Sequence, residues 1–264
     1  ETVEKEGDFA DLWQPMIETP HHLLQRQIDF DYVDATSMEE AAVQDGQLCV
    51  AGESFGAVVA PAMKVIDRRA AGRLREFAEA GGHVVWVRPL PAQYDDGEDA
   101  SELVDWIETS PQCAIVDYDE NSLADDLEAA VREGIELPVE LRSDKRDRFC
   151  VNRRVDGDDE LLFVVYFGEE QAKATVEIDG WEAAERVNPR TGDTTPCAVG
   201  GQGFELEFAP YESMLLKKCE DSEPLVEPSE RVTIEGDWKV GLPDDNLFVA
   251  GSMDVSSEWA ERRA

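Results

Sequence analysis

Apolar residues in the first half of the chain fall at two alternating spacings. Continuous apolar runs at Ala57–Ala60 and His83–Val87 read as strands buried on both faces. Between them, Ala70, Leu74, Phe77 and Ala78 share one side of a helix expected over residues 67–80, with Arg and Glu opposite. Gly81-Gly82 follows as a helix stop. Residues 57–91 are therefore one strand–helix–strand unit, which requires parallel strands and a right-handed crossover.

The same pattern extends to both sides. Thr19-Pro20 reads as the N-cap and first position of a helix striped by Leu23, Leu24 and Ile28. Residues 30–33 read as a short strand, and Ser37 with Glu40 as a capping box opening a short helix. Residues 48–50 and 114–118 read as further strands. Ser101 is expected to cap a helix carrying Leu103, Trp106 and Ile107. Ser122 is expected to cap another, with Leu123, Leu127 and Val131 inward. Strands alternating with helices predict an α/β domain with a parallel sheet over residues 1–135.

Beyond about residue 135 the period becomes two. Residues 148–155 and 161–167 flank Asp156-Gly157-Asp158-Asp159, a hairpin signal. Residues 172–178, 183–187, 204–208 and 213–217 continue the alternation, broken by a turn at 188–193. This predicts an all-β domain, a small antiparallel β-sandwich over residues 136–220. Residues 221–264 read as linker and partial β: an acidic, Pro-containing link over 219–228, a strand pair at 231–240 and an incomplete segment at 248–259. The start at Glu1 and the end inside a new β unit read as a piece cut from a larger protein.

Charge changes the picture more than length does. Asp and Glu number 60 against 24 Lys and Arg, a net charge of −36, and the cations are 17 Arg to 7 Lys. The acid is spread along the whole chain. Runs of Trp, Phe, Leu and Val exclude a disordered acidic tail. Two readings remain. One is adaptation to molar salt, where repulsion is screened over about 3 Å; the other is a surface for basic partners or divalent cations. Diffuse acid and scarce Lys favour salt, a composition that resembles haloarchaeal proteins. A salt-rich cytoplasm or secretion would both fit. Nucleic acid is excluded as a partner by the lack of a basic face. No membrane span or signal peptide is visible, so no membrane partner is expected.

Candidate chemistry is sparse. The five cysteines are far apart and form no zinc-type spacing, and Cys49 and Cys113 read as small core residues. No phosphate- or dinucleotide-binding glycine motif follows a strand, so no cofactor or metal is expected. Glu53, Asp117 and Asp119 lie near the ends of expected strands, where open α/β sheets bind ligands; the favoured reading is solvated loop acids. Glycoside hydrolysis needs two carboxyls about 5–10 Å apart, and 60 acids supply many pairs. His21-His22 has no partner cluster and reads as surface or helix packing. Trp86 and Trp106 read as core. Trp181, after Asp179-Gly180, either stacks on a sugar or closes the sandwich edge.

Three phrases of the first half, IDFDYVD (28–34), VVAPAMKVID (58–67) and FAEAGGHVVWV (77–87), carry a resemblance. They resemble the class I glutamine amidotransferase-like, flavodoxin-like domains inside multi-domain glycoside hydrolases. LLFVVYFGEEQAKATVEI (161–178), NPRTGD (188–193) and FELEFAPYESMLL (204–216) resemble the β-sandwich that follows such domains. EGDWKVGLPDDN (235–246) resembles the start of a jelly roll. The order matches α-L-rhamnosidase-like hydrolases and related β-galactosidases with a trimerisation domain of this fold, whose catalytic barrel lies upstream.

An amidotransferase of this type places Cys on the sharp turn after a buried strand. Here those turns read Arg88-Pro89-Leu90-Pro91 and Ala60-Pro61-Ala62-Met63, with no thiol, hydroxyl or adjacent base. The resemblance therefore implies a non-catalytic part of a glycoside hydrolase, serving domain packing or oligomerisation. Its partners would be other domains of the parent chain, a second copy or carbohydrate, and it would hold no catalytic residue. A carbohydrate-binding module and a stand-alone small-molecule enzyme on the α/β domain are the alternatives.

Overall fold

A computed structural model describes residues 3–157, 159–200 and 203–220. The chain divides into two compact units, Glu1–Pro224 and Leu225–Ala264, and every described residue belongs to the first. The strand pair expected at 231–240, the segment at 248–259 and the link beyond Glu220 lie outside the described residues.

The first part opens with helices α1 (Val3–Gln25) and α2 (Ala35–Glu40). An antiparallel sheet follows, with strands β1 (Ala42–Gln44), β2 (Gln47–Val50) and β3 (Glu53–Phe55) in that order. Next come β4 (Ala57–Ala60), β5 (Val65–Ile66), α3 (Arg68–Glu79), β6 (His83–Val87) and β7 (Gln93–Tyr94). Then α4 (Ser101–Thr109), β8 (Cys113–Val116) and α5 (Leu123–Gly134) complete it. Strands β4, β6 and β8 form a parallel sheet in that order, and β5 and β7 pair as a separate parallel ladder.

Strand β6 shows why the layers form. All five of its residues are buried. Val84 and Trp86 pack with Leu74, Phe77, Leu103 and Ile107, whereas Val85 and Val87 pack with Leu23, Leu123, Leu127 and Val131. The two-residue period thus sorts α2, α3 and α4 to one face and α1 and α5 to the other. The Asp67 side chain caps α3 by accepting the N–H groups of Arg69 and Ala70. At its end, Gly82 N–H reaches Phe77 O and Gly81 N–H reaches Ala78 O, with Gly81 at φ +102, the paired bonds of a Schellman stop. No helix among the described residues is long and apolar enough to cross a membrane.

His83 fits this packing closely. Its Nε2–H donates to Ala130 O at 2.8 Å, and a Cβ built on Gly134 would stand 2.1 Å from its ring. Gly134→Ala is therefore expected to cost about 2 kcal/mol, in the range for overpacking. Thermal unfolding reads this as a drop of about 4–8 °C; an unchanged midpoint would show that the ring has room to move.

Several expectations are corrected. Residues 30–33 form no strand. Tyr32 is 82% exposed with Phe30 edge-on to its ring, and Asp29 accepts a bond from Asn152 of the second part. The segment links layers instead of joining a sheet. Thr19 lies inside α1 and is no cap; its hydroxyl donates to Pro15 O at 2.6 Å, one turn back. Asp34, not Ser37, caps α2, accepting the Ser37 N–H at 2.7 Å. Ser101 is the first residue of α4, its N–H held by Asp99. Ser122 holds the N-cap position of α5 without a side-chain bond.

The second part is antiparallel throughout. Strand β9 (Val139–Arg142) and a 3-10 turn (Arg146–Arg148) lead to the hairpin of β10 (Phe149–Asp156) and β11 (Asp159–Tyr166). Then follow β12 (Ala172–Ile178), β13 (Ala183–Val187), β14 (Thr194–Pro196), β15 (Val199–Gly200), β16 (Gly203–Phe208) and β17 (Ser213–Cys219). The sheets run β10–β11–β17–β13–β14 and β15–β16–β12–β9. Alternate residues of β12 and β16 point inward, onto Phe149, Leu162, Val164 and Leu216. Phe149 packs against Tyr166 at 4.7 Å and edge-on to Phe208 at 5.1 Å.

A charged cluster joins the two parts. Arg26 at the end of α1 bonds Asp125 on α5 at 2.7 Å and Asp147 of the 3-10 turn. Arg146 grips both oxygens of Glu128, at 2.8 and 3.0 Å, and its Nε donates to Gln27 Oε1 at 2.9 Å. Burial pushes the Glu128 carboxyl up, but the Arg146 and Arg132 bonds outweigh it and hold it below the usual carboxylate range.

Candidate functional site

Two clefts open on the described residues. The first, of about 570 Å³, lies where β6 and β8 end. Val87 and Val116 are paired, and Arg88 N–H donates to Val116 O at 2.9 Å. Beyond that bond the chains diverge, leaving the 88–92 turn, Val104, Asp117 and Tyr118 around the opening. The Arg88 Nε lies 3.2 Å from Asp117, and its Nη2 lies 3.3 Å from Glu108 on α4. Tyr118 donates its hydroxyl to Glu18 on α1 at 2.5 Å. Desolvation, then the bond to Glu18, pushes this phenol up to about 12, so it stays a neutral donor.

The second cleft, of about 800 Å³, lies between the exit of α5 and the sandwich rim. Glu136, Glu140, Glu177, Asp179 and Glu182 line it with Arg132. Arg132 is bonded to Glu140 at 2.6 Å and Glu128 at 3.0 Å, and Glu177 to Arg142 at 2.9 Å.

The four candidate residues are not brought together. Asp117 reaches the first cleft. Asp119 serves the entry to α5: its side chain accepts the Asn121 N–H, and its carbonyl accepts those of Ser122 and Leu123. Glu53 stands exposed on β3, opposite Val50 in the separate antiparallel sheet. Trp181 is 8% exposed, packs edge-on to Phe204 and donates its indole N–H to Glu160 at 3.0 Å. It closes the sandwich end and lines the second cleft. Trp86 is buried in the core, and Trp106 packs against it. His21 and His22 both contact Gln25 along α1. The pattern reading missed Arg88 and Tyr118; a cation between a buried strand and two prolines was the available signal for Arg88.

The titrations bear on chemistry. A general acid at neutral pH needs a raised carboxyl. Hydrogen bonds and neighbouring cations hold the carboxyls of Asp34, Asp96, Asp99, Glu128, Glu160 and Glu170 below the usual carboxylate range. Burial pushes the thiols of Cys113, Cys150 and Cys197 up, Cys197 to about 11, away from the nucleophilic thiolate. No group of His, Cys, Asp or Glu among the described residues is arranged to hold a metal.

Glu160 is the strongest case. Bonds from Arg153, then from Lys218 at 2.6 Å and from Trp181, hold it down to about 2 against an ordinary 4.5. The carboxylate's contribution to stability is complete above about pH 4.5 and is lost as pH falls through about 2. Glu160→Gln should flatten the loss of stability across that window, read by chemical unfolding at stepped pH. Parallel curves for the two proteins would contradict this.

No family model matches the chain, and no curated protein matches it in sequence. Solved structures share its fold. A rhamnosidase from Novosphingobium sp. PP1Y aligns over 77% of this chain and 21% of its own, at 15% identity and TM-score 0.58. A β-galactosidase from Bacillus circulans sp. alkalophilus aligns over 79% and 38%, at 14% identity and TM-score 0.54. A catalytic mutant of Gan42B, a GH42 β-galactosidase from G. stearothermophilus, aligns over 78% and 36%, at 10% identity and TM-score 0.51. The chain spans only 21% to 38% of the length of these enzymes, and the likeness is one of fold.

Proposed function

We propose that this chain is a non-catalytic part of a larger α-L-rhamnosidase-like glycoside hydrolase, serving domain packing or oligomerisation and suited to high salt. One observation carries the reading. A share of this chain larger than either part alone, 77%, aligns with a minor share, 21%, of a rhamnosidase. On this reading the α/β part, residues 1–135, is a flavodoxin-like, amidotransferase-like domain that lacks a nucleophile. Residues 136–220 are its companion sandwich, and the partners are other domains of the parent chain. The haloarchaeal-type acidic surface belongs to the same reading. Arg26, Glu128 and Arg146 tie the two parts together, and a packing element needs such stiffness. The purified chain is expected to release no nitrophenol from aryl α-L-rhamnosides or aryl β-D-galactosides; release that follows the protein through purification would overturn the proposal.

A further inference from the structure

We propose that the cleft at the ends of β6 and β8 binds a neutral saccharide, held by Arg88 and Asp117 over an apolar floor. The location is the one where open α/β sheets take ligands, outside the carboxyl ends of neighbouring strands. Its volume of about 570 Å³ suits a mono- or disaccharide, within the usual range for small-molecule sites. Pro89, Leu90, Pro91 and Val104 supply the apolar wall, which the C–H face of a sugar ring can cover.

The polar edge decides the ligand class. Arg88 lies 3.2 Å from Asp117 and 3.3 Å from Glu108. Arg88 is paired with both acids, yet its side chain is 44% exposed and that of Asp117 87%, so both present polar atoms to the cleft's solvent side. Donor and acceptor stand side by side. Adjacent sugar hydroxyls match them, one donating to the carboxylate and the other accepting from the guanidinium. An anion would meet Asp117 and Glu108 in a chain of net charge −36. A cation would meet the guanidinium between them. A neutral polyol faces neither penalty. Tyr118, pinned through its hydroxyl to Glu18, keeps the wall in place.

The accessory role neither requires nor forbids this site, so the two stand or fall separately. The test is an NMR titration of the isotope-labelled chain with L-rhamnose, D-galactose and D-galacturonate. Saturable shifts confined to residues 88–92, 104, 117 and 118, at millimolar concentration of at least one neutral sugar, are expected. Arg88→Ala and Asp117→Asn should each weaken binding about five- to tenfold, with the remaining resonances unmoved as the control for folding. Three results would overturn the proposal: no saturable shift at about 100 mM sugar, shifts centred on the second cleft, or tighter binding of galacturonate than of galactose. Turnover of an aryl glycoside would sink the accessory role and leave this site standing.

Discussion

Glu128→Ala is expected to lower the stability of the chain by about 3 kcal/mol, the range for breaking a largely buried ion pair from one side. Its side chain is 14% exposed, with those of Arg26 and Arg146 at 13% and 29%. The carboxylate accepts both Arg146 bonds and one from Arg132, with Arg26 at 3.5 Å. Arg26 would keep Asp125 and Asp147, and Arg132 would keep Glu140. Arg146 would keep only hydrogen bonds to Gln27 and the Arg26 carbonyl among its described partners, so the loss falls mainly there. Glu128→Gln retains the shape and an acceptor but not the charge, and should fall between. Unfolding by heat should show the Ala variant about 6–12 °C below the parent. Equal midpoints would mean that solvent already screens the cluster.

Raising KCl from about 0.1 to about 3 M is expected to increase the unfolding temperature by well over 10 °C, as the Debye length drops from about 10 Å to below 3 Å. Acids outnumber cations 60 to 24, a net charge of −36, and the mutual repulsion of the excess carboxylates opposes the compact state. Salt also weakens exposed ion pairs such as Arg69–Glu39 and Lys173–Glu207. Each of those contributes about 0–1 kcal/mol, less together than the repulsion that salt relieves. Circular dichroism should show structure lost as KCl falls well below molar. A midpoint that stays level or falls with salt would overturn the salt reading. It would return the acidic surface to basic partners or divalent cations.

The strand–helix–strand unit was legible because β6 is buried on both faces, which leaves an unbroken apolar run, and because α3 carries both an acidic cap and a glycine stop. The sandwich was legible because β12 and β16 alternate buried and exposed residues. Strand β9 escaped, since four residues are too few to show a period. Residues 30–33 misled because alternating acids and aromatics mimic an edge strand, whereas Phe30 and Val33 pack against the two different apolar clusters and the preceding Asp29 is held by Asn152. The cap expected at Ser37 lies upstream at Asp34, which accepts the Ser37 N–H itself, and α4 starts after Ala100 without a side-chain cap, Asp99 accepting the Ser101 N–H. The cluster of Arg26, Glu128 and Arg146 had no local signal, because its members meet only in the folded chain. In the first cleft, Asp117 was visible as a strand-end acid, but its relation to Arg88 depends on the pairing of β6 with β8. Trp181 shows the limit of pattern: a tryptophan after Asp-Gly looks the same whether it faces a sugar or, as here, Phe204.

The proposal that this chain carries no glycosidase chemistry is tested most directly by steady-state hydrolysis of aryl α-L-rhamnoside and aryl β-D-galactoside in about 3 M KCl, where salt screening relieves the repulsion among its acids. Working enzymes reach kcat/KM of about 10⁴–10⁸ M⁻¹s⁻¹, far above the background of such an assay. The account predicts nitrophenol release no faster than in buffer alone. Release that scales with the chain's concentration and disappears on replacing one of its carboxylates would contradict it.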